Sequence, residues 1–363
     1  MSGPLAGIRI VEMDAIGPVP LGAMILADLG ADVVRIERPG GQSVHDNLGE
    51  DIVHRGRLRV ALNLKQTTDR DQALDLVSRC DALLEGYRPG VMERLGLGPD
   101  VCLARNPRLV YARMTGWGQT GPLALTAGHD LNYIALSGAL SAIGSRDTVP
   151  PPPLNLVGDN GGGAMFLVTG VLAGLLSAKA TGRGDVIDVA MTDGAGILMS
   201  MFFALRQQGA WTDERGTNLL DGAAPFYRCY ACADGKHVAV GAIEPQFFRA
   251  LITGLDLDPA TITQHDRPSW PALTQTIAGR FGTRTRDEWA RHFEGTDACV
   301  TPVLTMPEAI DYPANKARHA HVVQDGIFQP AVAPRFERSK ADIRSSRTVT
   351  FDDALAVFSK GPA

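Results

Sequence analysis

The chain alternates short, β-rich apolar runs with stretches whose apolar residues recur at helical spacing. Ile8–Met13 reads as a strand. Pro20–Leu29 then places apolar residues three and four apart and stops at Gly30, a residue suited to ending a helix. Asp32–Glu37 reads as the next strand, closed by the Pro39-Gly40 turn. Further strands are predicted over Arg59–Leu64, Ala82–Glu85, Leu109–Arg113 and Asp185–Ala190, with a helix over Thr67–Cys80. Strands joined by helices make parallel crossovers. The pattern therefore predicts an α/β fold with a Rossmann-like, doubly wound parallel sheet.

From about residue 200 the pattern changes. His237–Ile243 reads as a strand ending at Glu244, and helices are predicted over Pro245–Leu255 and Arg286–Phe293. We expect a large domain over 1–195, completed by about 310–363, and a smaller α+β domain over 225–305. Linkers are expected at 196–224 and 306–320, and no internal repeat is visible. Pro150 to Pro153 predict a stiff, extended segment. The apolar stretch Ala164–Ala180 is interrupted by Thr169, Gly170, Gly174, Ser177 and Lys179. It falls short of the roughly 20 residues a membrane span needs and reads as a buried helix.

Composition narrows the function classes. Hydrophobic residues make up 45% and charged residues 21%, enough apolar material for a sizeable core. The net charge of −5 argues against a nucleic-acid binder and leaves an anionic ligand to a local basic pocket. Five cysteines, an odd number, make no disulfide framework, and the Cys229/Cys232 pair has no second pair at zinc spacing. The first residues, MSGPLAGIRIVEMDAIG, lack a charged segment followed by a long apolar one, so no signal peptide is expected. The expectation is a soluble cytoplasmic protein with no metal, no nucleic-acid partner and no membrane.

Three positions could carry chemistry. His129 lies in the polar cluster GHDLNY, Asp159 precedes the triplet Gly161 to Gly163 (with Asn160 between), and Glu244 ends an apolar strand. Each alone also fits a structural role, as a satisfied histidine, a helix N-cap or a helix-terminal acid. The glycines add room for a ligand and free N–H groups at a helix start. Arg35, Arg38, Lys65 and Arg88 fall at or beyond strand ends, where open α/β sheets bind ligands, and suit a phosphate-bearing one. A dinucleotide is not expected. The first turn reads Ala15-Ile16-Gly17-Pro18-Val19-Pro20 rather than G-x-G-x-x-G, and its prolines remove N–H donors.

Read in order, the strings GPLAGIRIVEM, ADLGADVVRIERPG, EGYRPGVMERLGLGP, YARMTGWGQTGP, AGHDLNYIALSG, PPLNLVGD-x-GGG, LLDGAAPFY, VAVGAIEPQF and TDACVTPVL cover nearly the whole chain. Together they resemble the α-methylacyl-CoA racemases of the class III CoA-transferase (CaiB/BaiF-type) superfamily. The match is weakest beyond about residue 320.

The resemblance implies a catalytic His129 and Asp159, with Glu244 hydrogen-bonding the histidine. It implies CoA contacts at Arg38, at Val60, Ala61, Leu62 and Asn63, at Gly128, Asp130 and Tyr133, and at Lys65 and Arg88. Enolate stabilisation would fall to the Asp130 amide or to the helix start at Gly161 and Gly162. The implied assembly is an interlocked homodimer in which Glu244 comes from the partner chain. Two positions depart from the family: Asn160 stands where an apolar aromatic is usual, and Asn63 replaces an acidic residue. The implied reaction inverts the stereocentre of a 2-methylacyl-CoA thioester without a cofactor, CoA being part of the substrate. The alternative is a CoA-transferase with Asp159 as nucleophile.

Overall fold

The computed structural model describes residues 3–40 and 50–359. The strands are β1 (Arg9–Met13), β2 (Asp32–Glu37), β3 (Arg57–Ala61), β4 (Ala82–Glu85), β5 (Val110–Thr115), β6 (Asp185–Ala190), β7 (Tyr227–Ala231), β8 (His237–Gly241), β9 (Val300–Pro302), β10 (His321–Gln324), β11 (Ile327–Pro330) and β12 (Arg347–Thr348). The helices used below are α1 (Pro18–Asp28), α2 (Thr67–Val77), α3 (Asp130–Leu136), α4 (Met165–Thr181), α5 (Met191–Leu198), α6 (Pro245–Gly254), α7 (Trp270–Phe281), α8 (Arg286–Phe293) and α9 (Phe351–Ser359). The chain divides into two compact units, Met1–Gly138 with Pro153–Met199 and Ala317–Ala363, and Ala139–Pro152 with Ser200–Lys316.

The larger unit is built on a sheet of order β12-β3-β2-β1-β4-β5-β6, every neighbouring pair parallel. Alternate residues of its strands feed two cores. Ile10, Val33, Leu84 and Ala112 pack with Leu26 of α1 and Leu167 and Val171 of α4. Val11, Val34, Leu83 and Tyr111 pack on the other face with Leu74 and Leu76 of α2 and Phe358 of α9. Burial on both faces explains why these strands read as nearly continuous apolar runs. Strand order reverses between β1 and β4, the place where doubly wound sheets open a crevice.

Several local expectations change. β3 begins at Arg57, earlier than the predicted Arg59, because the buried Arg57 charge is met by Glu12 of β1 at 3.0 Å. The Gly-rich segment after Asp159 is not a loop leading to a helix. Leu156–Ala164 forms π-helical turns that run directly into α4. The resulting run, Leu156–Thr181, has 26 residues and is long and apolar enough to cross a membrane by length and composition. The expectation that this stretch is too short is therefore corrected. It is not the buried helix expected either: one face packs on the core through Leu167, Val168, Val171 and Ala178, while Leu176 is 70% exposed. Gly170 and Gly174 bring its backbone onto the sheet, where a Cβ at Gly174 would sit 2.8 Å from Val110.

Both spans expected as linkers carry structure: a helix at Ser200–Gln207 in the first, and helices at Met306–Asp311 and Pro313–Ala317 in the second. The tail holds the antiparallel β10–β11 hairpin, and β12 joins the large sheet beside β3. Weak patterning hid these short, half-exposed strands. The smaller unit is α+β: β7, β8 and β9 form an antiparallel sheet, and Phe226, Val238, Leu251, Ile277, Phe281 and Trp289 lie in its core. Helix α8 starts on a capping box in which Thr285 accepts from the Glu288 N–H. Cys229 is exposed and Cys232 buried, both as free thiols. Among the described residues no group of three or more His, Cys, Asp or Glu side chains could hold a metal ion.

Candidate active site

A cleft of about 280 Å³ opens at the carboxyl ends of the strands of the larger unit. Its floor comes from the turns after β1 (Gly17, Pro18) and β4 (Tyr87, Arg88), and its walls from Trp117 and Tyr133. It therefore sits at the switch point between β1 and β4, and both His129 and Asp159 line it.

His129 is the N-cap of α3, in extended conformation at φ −134°. Its backbone N–H donates to Asn132 Oδ1 at 3.1 Å, and its carbonyl accepts from the Asn132 N–H at 2.8 Å. The preceding turn is fixed by Tyr133, whose hydroxyl donates to the Gly128 carbonyl and whose ring meets Trp117 edge-on at 4.8 Å. Two glycines permit this packing. A Cβ at Gly116 would lie 2.1 Å from the Tyr133 ring, and one at Gly128 would lie 2.8 Å from it.

Asp159 projects from the π-helical turns, a rare geometry that recurs at functional sites. Its carboxylate accepts a long 3.4 Å hydrogen bond from Asn155 Nδ2. Its backbone N–H donates at 2.6 Å to Oδ1 of Asp130, the first residue of α3. Gly17, with φ +74°, keeps the space in front of Asp159 open; a Cβ there would reach to 3.8 Å from Oδ2. On the opposite side the segment is pressed onto α5. A Cβ at Gly194 would lie 1.9 Å from the Gly162 carbonyl oxygen, and one at Gly162 would lie 2.7 Å from the Ala195 nitrogen.

The electrostatics follow from this placement. Burial pushes the Asp159 carboxyl above its ordinary pKa; the neighbouring Asp130 charge pushes it further, while Asn155 and His129 oppose the rise. A carboxyl biased toward holding its proton can act as an acid as well as a base. Burial likewise raises the Tyr133 hydroxyl, with Asp159 adding to the rise and Arg88 opposing it.

Of the residues expected at the site, His129, Asp159, Gly128, Tyr133 and Arg88 share the cleft. Val60 and Ala61 end β3, next to Arg38 and Glu37 at the end of β2, and the Leu62 N–H donates to the Glu37 carbonyl at 2.9 Å. Arg38 and Lys65 are exposed on that strand edge, outside the cleft itself. Asn63 is held by Asp69, which accepts its N–H at 2.7 Å, so a carboxylate is present near this turn from the start of α2. Asp130 turns its side chain onto the Asp159 amide, where Oδ1 accepts the N–H at 2.6 Å. As first residue of α3 it still offers a backbone N–H with no intrahelical acceptor.

Two expectations change. Gly161 and Gly162 lie within helical turns rather than at a helix start, and Gly162 is packed on α5. Asn160 is part of the same turns, where its carbonyl accepts from the Met165 N–H. Arg35 is not a ligand arginine. It is buried within β2 and paired with Glu12 at 2.5 Å, Asp14 at 2.6 Å and Glu37 at 3.1 Å. Glu244 lies in the smaller unit as the exposed N-cap of α6, followed by Pro245 at the first helical position. Burial raises the nearby Cys299 thiol, and the Glu244 charge adds to that rise.

The sequence reading did not single out Gly17, Pro18 or Trp117. The signal was present: a glycine and proline directly after the first strand, and GWG after the fifth, are turn residues at strand carboxyl ends.

The model of CoA-transferase family III matches residues 5–347. The chain is 44% identical over 340 residues to the alpha-methylacyl-CoA racemase of Mus musculus, covering 93% of this chain and 87% of that one. It is 43% identical over 332 residues to the alpha-methylacyl-CoA racemase of Homo sapiens, covering 91% and 85%. A crystal structure of a CAIB/BAIF family protein from Brucella suis superposes with a TM-score of 0.83 at 23% identity, covering 98% of this chain and 99% of the other. That likeness carries the fold.

Proposed function

The chain belongs to CoA-transferase family III, and within that family we propose that it is an isomerase interconverting the (2R) and (2S) forms of 2-methylacyl-CoA thioesters. The relatives named as racemases, at 43% and 44% identity, support the assignment. The observation that carries it is the pairing of two unlike proton carriers, His129 and Asp159, in one cleft at the sheet's switch point.

The chemistry needs such a pair. One group takes the α-proton from C2, and the electrons of the broken C–H bond pass into an enolate whose charge lies on the thioester oxygen. The second group, already protonated, returns a proton to C2 from the opposite face. The C–H bond re-forms inverted, and the two side chains have exchanged protonation states. Neutral His129 with protonated Asp159 serves one direction, and the reverse state serves the other. The raised pKa of Asp159 brings its proton affinity closer to that of an imidazole, so the two states differ less in energy. The Asp130 N–H at the start of α3 is the donor we assign to the enolate oxygen.

CoA supplies binding energy far from the reacting carbon, so the acyl chain needs only an apolar surface. Arg88 at the cleft and Arg38 and Lys65 along the adjoining strand edge are the cations we assign to CoA. After product release His129 and Asp159 exchange their protons with solvent, which restores the starting protonation state without a cofactor. We assign Glu244 to hold and charge-stabilise His129, supplied by the partner chain of an interlocked homodimer. Apolar side chains exposed on the single chain, among them Leu136 (62%), Leu156 (56%) and Ile197 (60%), support a partner surface. We place the protein in the cytoplasm, with no nucleic-acid or membrane partner.

The test is chiral analysis of a single 2-methylacyl-CoA enantiomer incubated with the protein, with and without an acceptor carboxylate. Racemisation to a near-equal mixture without the acceptor supports the assignment. Retained configuration, with CoA passing to the acceptor, identifies a transferase with Asp159 as nucleophile and overturns it.

A further inference from the structure

We propose that Asp130 is the positioning residue for Asp159, its buried carboxylate fixing the π-helical turn through the Asp159 amide and standing as a like charge beside it. Asp130 is only 7% exposed. One oxygen, Oδ1, accepts the Asp159 N–H at 2.6 Å across 29 residues of sequence. The other, Oδ2, is buried with no hydrogen-bond partner among the described residues.

A side chain needed only to accept one amide hydrogen bond has no use for a buried charge. An asparagine would accept the same bond without burying an unpaired anionic oxygen, which is costly. The start of α3 gives the charge some favourable surroundings, since acids are stabilised at helix N-termini. The approach itself is built in. Gly158 precedes Asp159, and a Cβ there would lie 2.6 Å from Asp130 Oδ1. The Asp130 carboxylate is therefore held against the backbone of the Asp159 turn, and its charge adds to the rise that burial imposes on the Asp159 carboxyl.

The other ionisable groups around Asp159 do not supply this effect. His129 on the α3 cap opposes the rise, and Arg88 and Tyr133 line the same cleft. Between Pro18 and Ala27 helix α1 has no ionisable residue. The ionisable residue of α5 is Asp193, and that of α4 is Lys179 in its last turn. On β6, Asp185 begins the strand, and Asp188 accepts the Gln119 N–H at 3.0 Å.

This inference rests on the racemase reading only for its consequence in turnover. The test is titration of the Asp159 carboxyl by NMR of protein carrying carboxyl-labelled aspartate, in the wild type and in Asp130→Asn, with Asp159→Asn to assign the resonance. The expected result is a midpoint displaced to lower pH in Asp130→Asn, accompanied by a kcat at least about tenfold lower with KM for the CoA ester within about twofold. An unmoved midpoint overturns the proposal whatever the rate. Gly158→Ala supplies a second arm, needed should Asp130→Asn fail to fold. It pushes the Asp130 carboxylate off the amide and is expected to lower kcat by a similar factor, and wild-type kcat there overturns the proposal as well. Racemisation by the wild type is a separate measurement, so failure of the functional reading and failure of this one are told apart.

Discussion

Two sets of acidic side chains serve the same parallel sheet, the buried Glu12 among its strands and the buried Asp130 with the half-buried Asp159 at the cleft, and they are treated in opposite ways. Glu12 on β1 is fully buried and takes Arg35 on one oxygen at 2.5 Å and Arg57 on the other at 3.0 Å. Arg35 reaches on to Asp14 and Glu37, and Arg57 donates to the carbonyls of Arg55 and Pro20. Around the cleft, Asp159 has a single long side-chain hydrogen bond and Asp130 has an oxygen with none. Saturated charge knits three strands together, whereas unsaturated charge stores an unfavourable proton equilibrium that a reaction can use. The two histidines repeat the contrast. Burial and the flanking Arg35 and Arg57 hold His54 down to about 3, so it stays neutral, while His129 is exposed at the cleft.

The contrast can be broken at either end, and the largest effect is expected at the cleft. His129→Ala removes one proton carrier, and α-proton exchange is expected to fall by about 10²–10⁴-fold with little change in thermal stability. An exchange rate within tenfold of wild type would take His129 out of the chemistry.

Glu12→Gln strikes the saturated network instead. It leaves Arg57 buried without its countercharge, and urea unfolding is expected to show a loss of about 3–5 kcal/mol. Turnover per folded molecule should be unchanged. A loss below about 1 kcal/mol would mean the network is not holding the strands.

Asp159→Asn gives the smallest effect on stability, and with the opposite sign. The folded-state pKa of Asp159 lies above its ordinary value, so its protonated form is the one the fold favours. Its contribution is then most favourable in acid and is lost as pH rises through the folded pKa. At neutral pH the ionised side chain opposes folding, and the neutral asparagine is expected to raise the melting temperature while abolishing turnover. The gain should vanish in acid. A melting temperature below wild type at neutral pH would show that Asp159 is held for stability.

The distinction between the two sets was only partly legible in the sequence. β2, β4 and β6 have the bounds that their apolar runs predicted, and His129, Asp159 and Arg88 were named before any geometry. Arg35 was misread because a strand-embedded arginine looks the same whether it faces a ligand or a buried Glu12; only the register of β1 on β2, Glu12 opposite Arg35, tells them apart. The glycines after Asp159 were misread for a similar reason. Absent side chains signal close approach, but the approach is to the backbone of α5 near Gly194, thirty-odd residues on. The pairing of Asp130 with Asp159 depends on a tertiary contact that no local pattern encodes.

The most direct test of the central claim, that His129 and Asp159 move a proton at C2, is NMR of one 2-methylacyl-CoA enantiomer with the wild-type protein in D2O and no acceptor acid. The account predicts loss of the C2 proton signal through deuterium incorporation while the thioester stays intact. A C2 proton that persists while the thioester is consumed or its CoA transferred would contradict it.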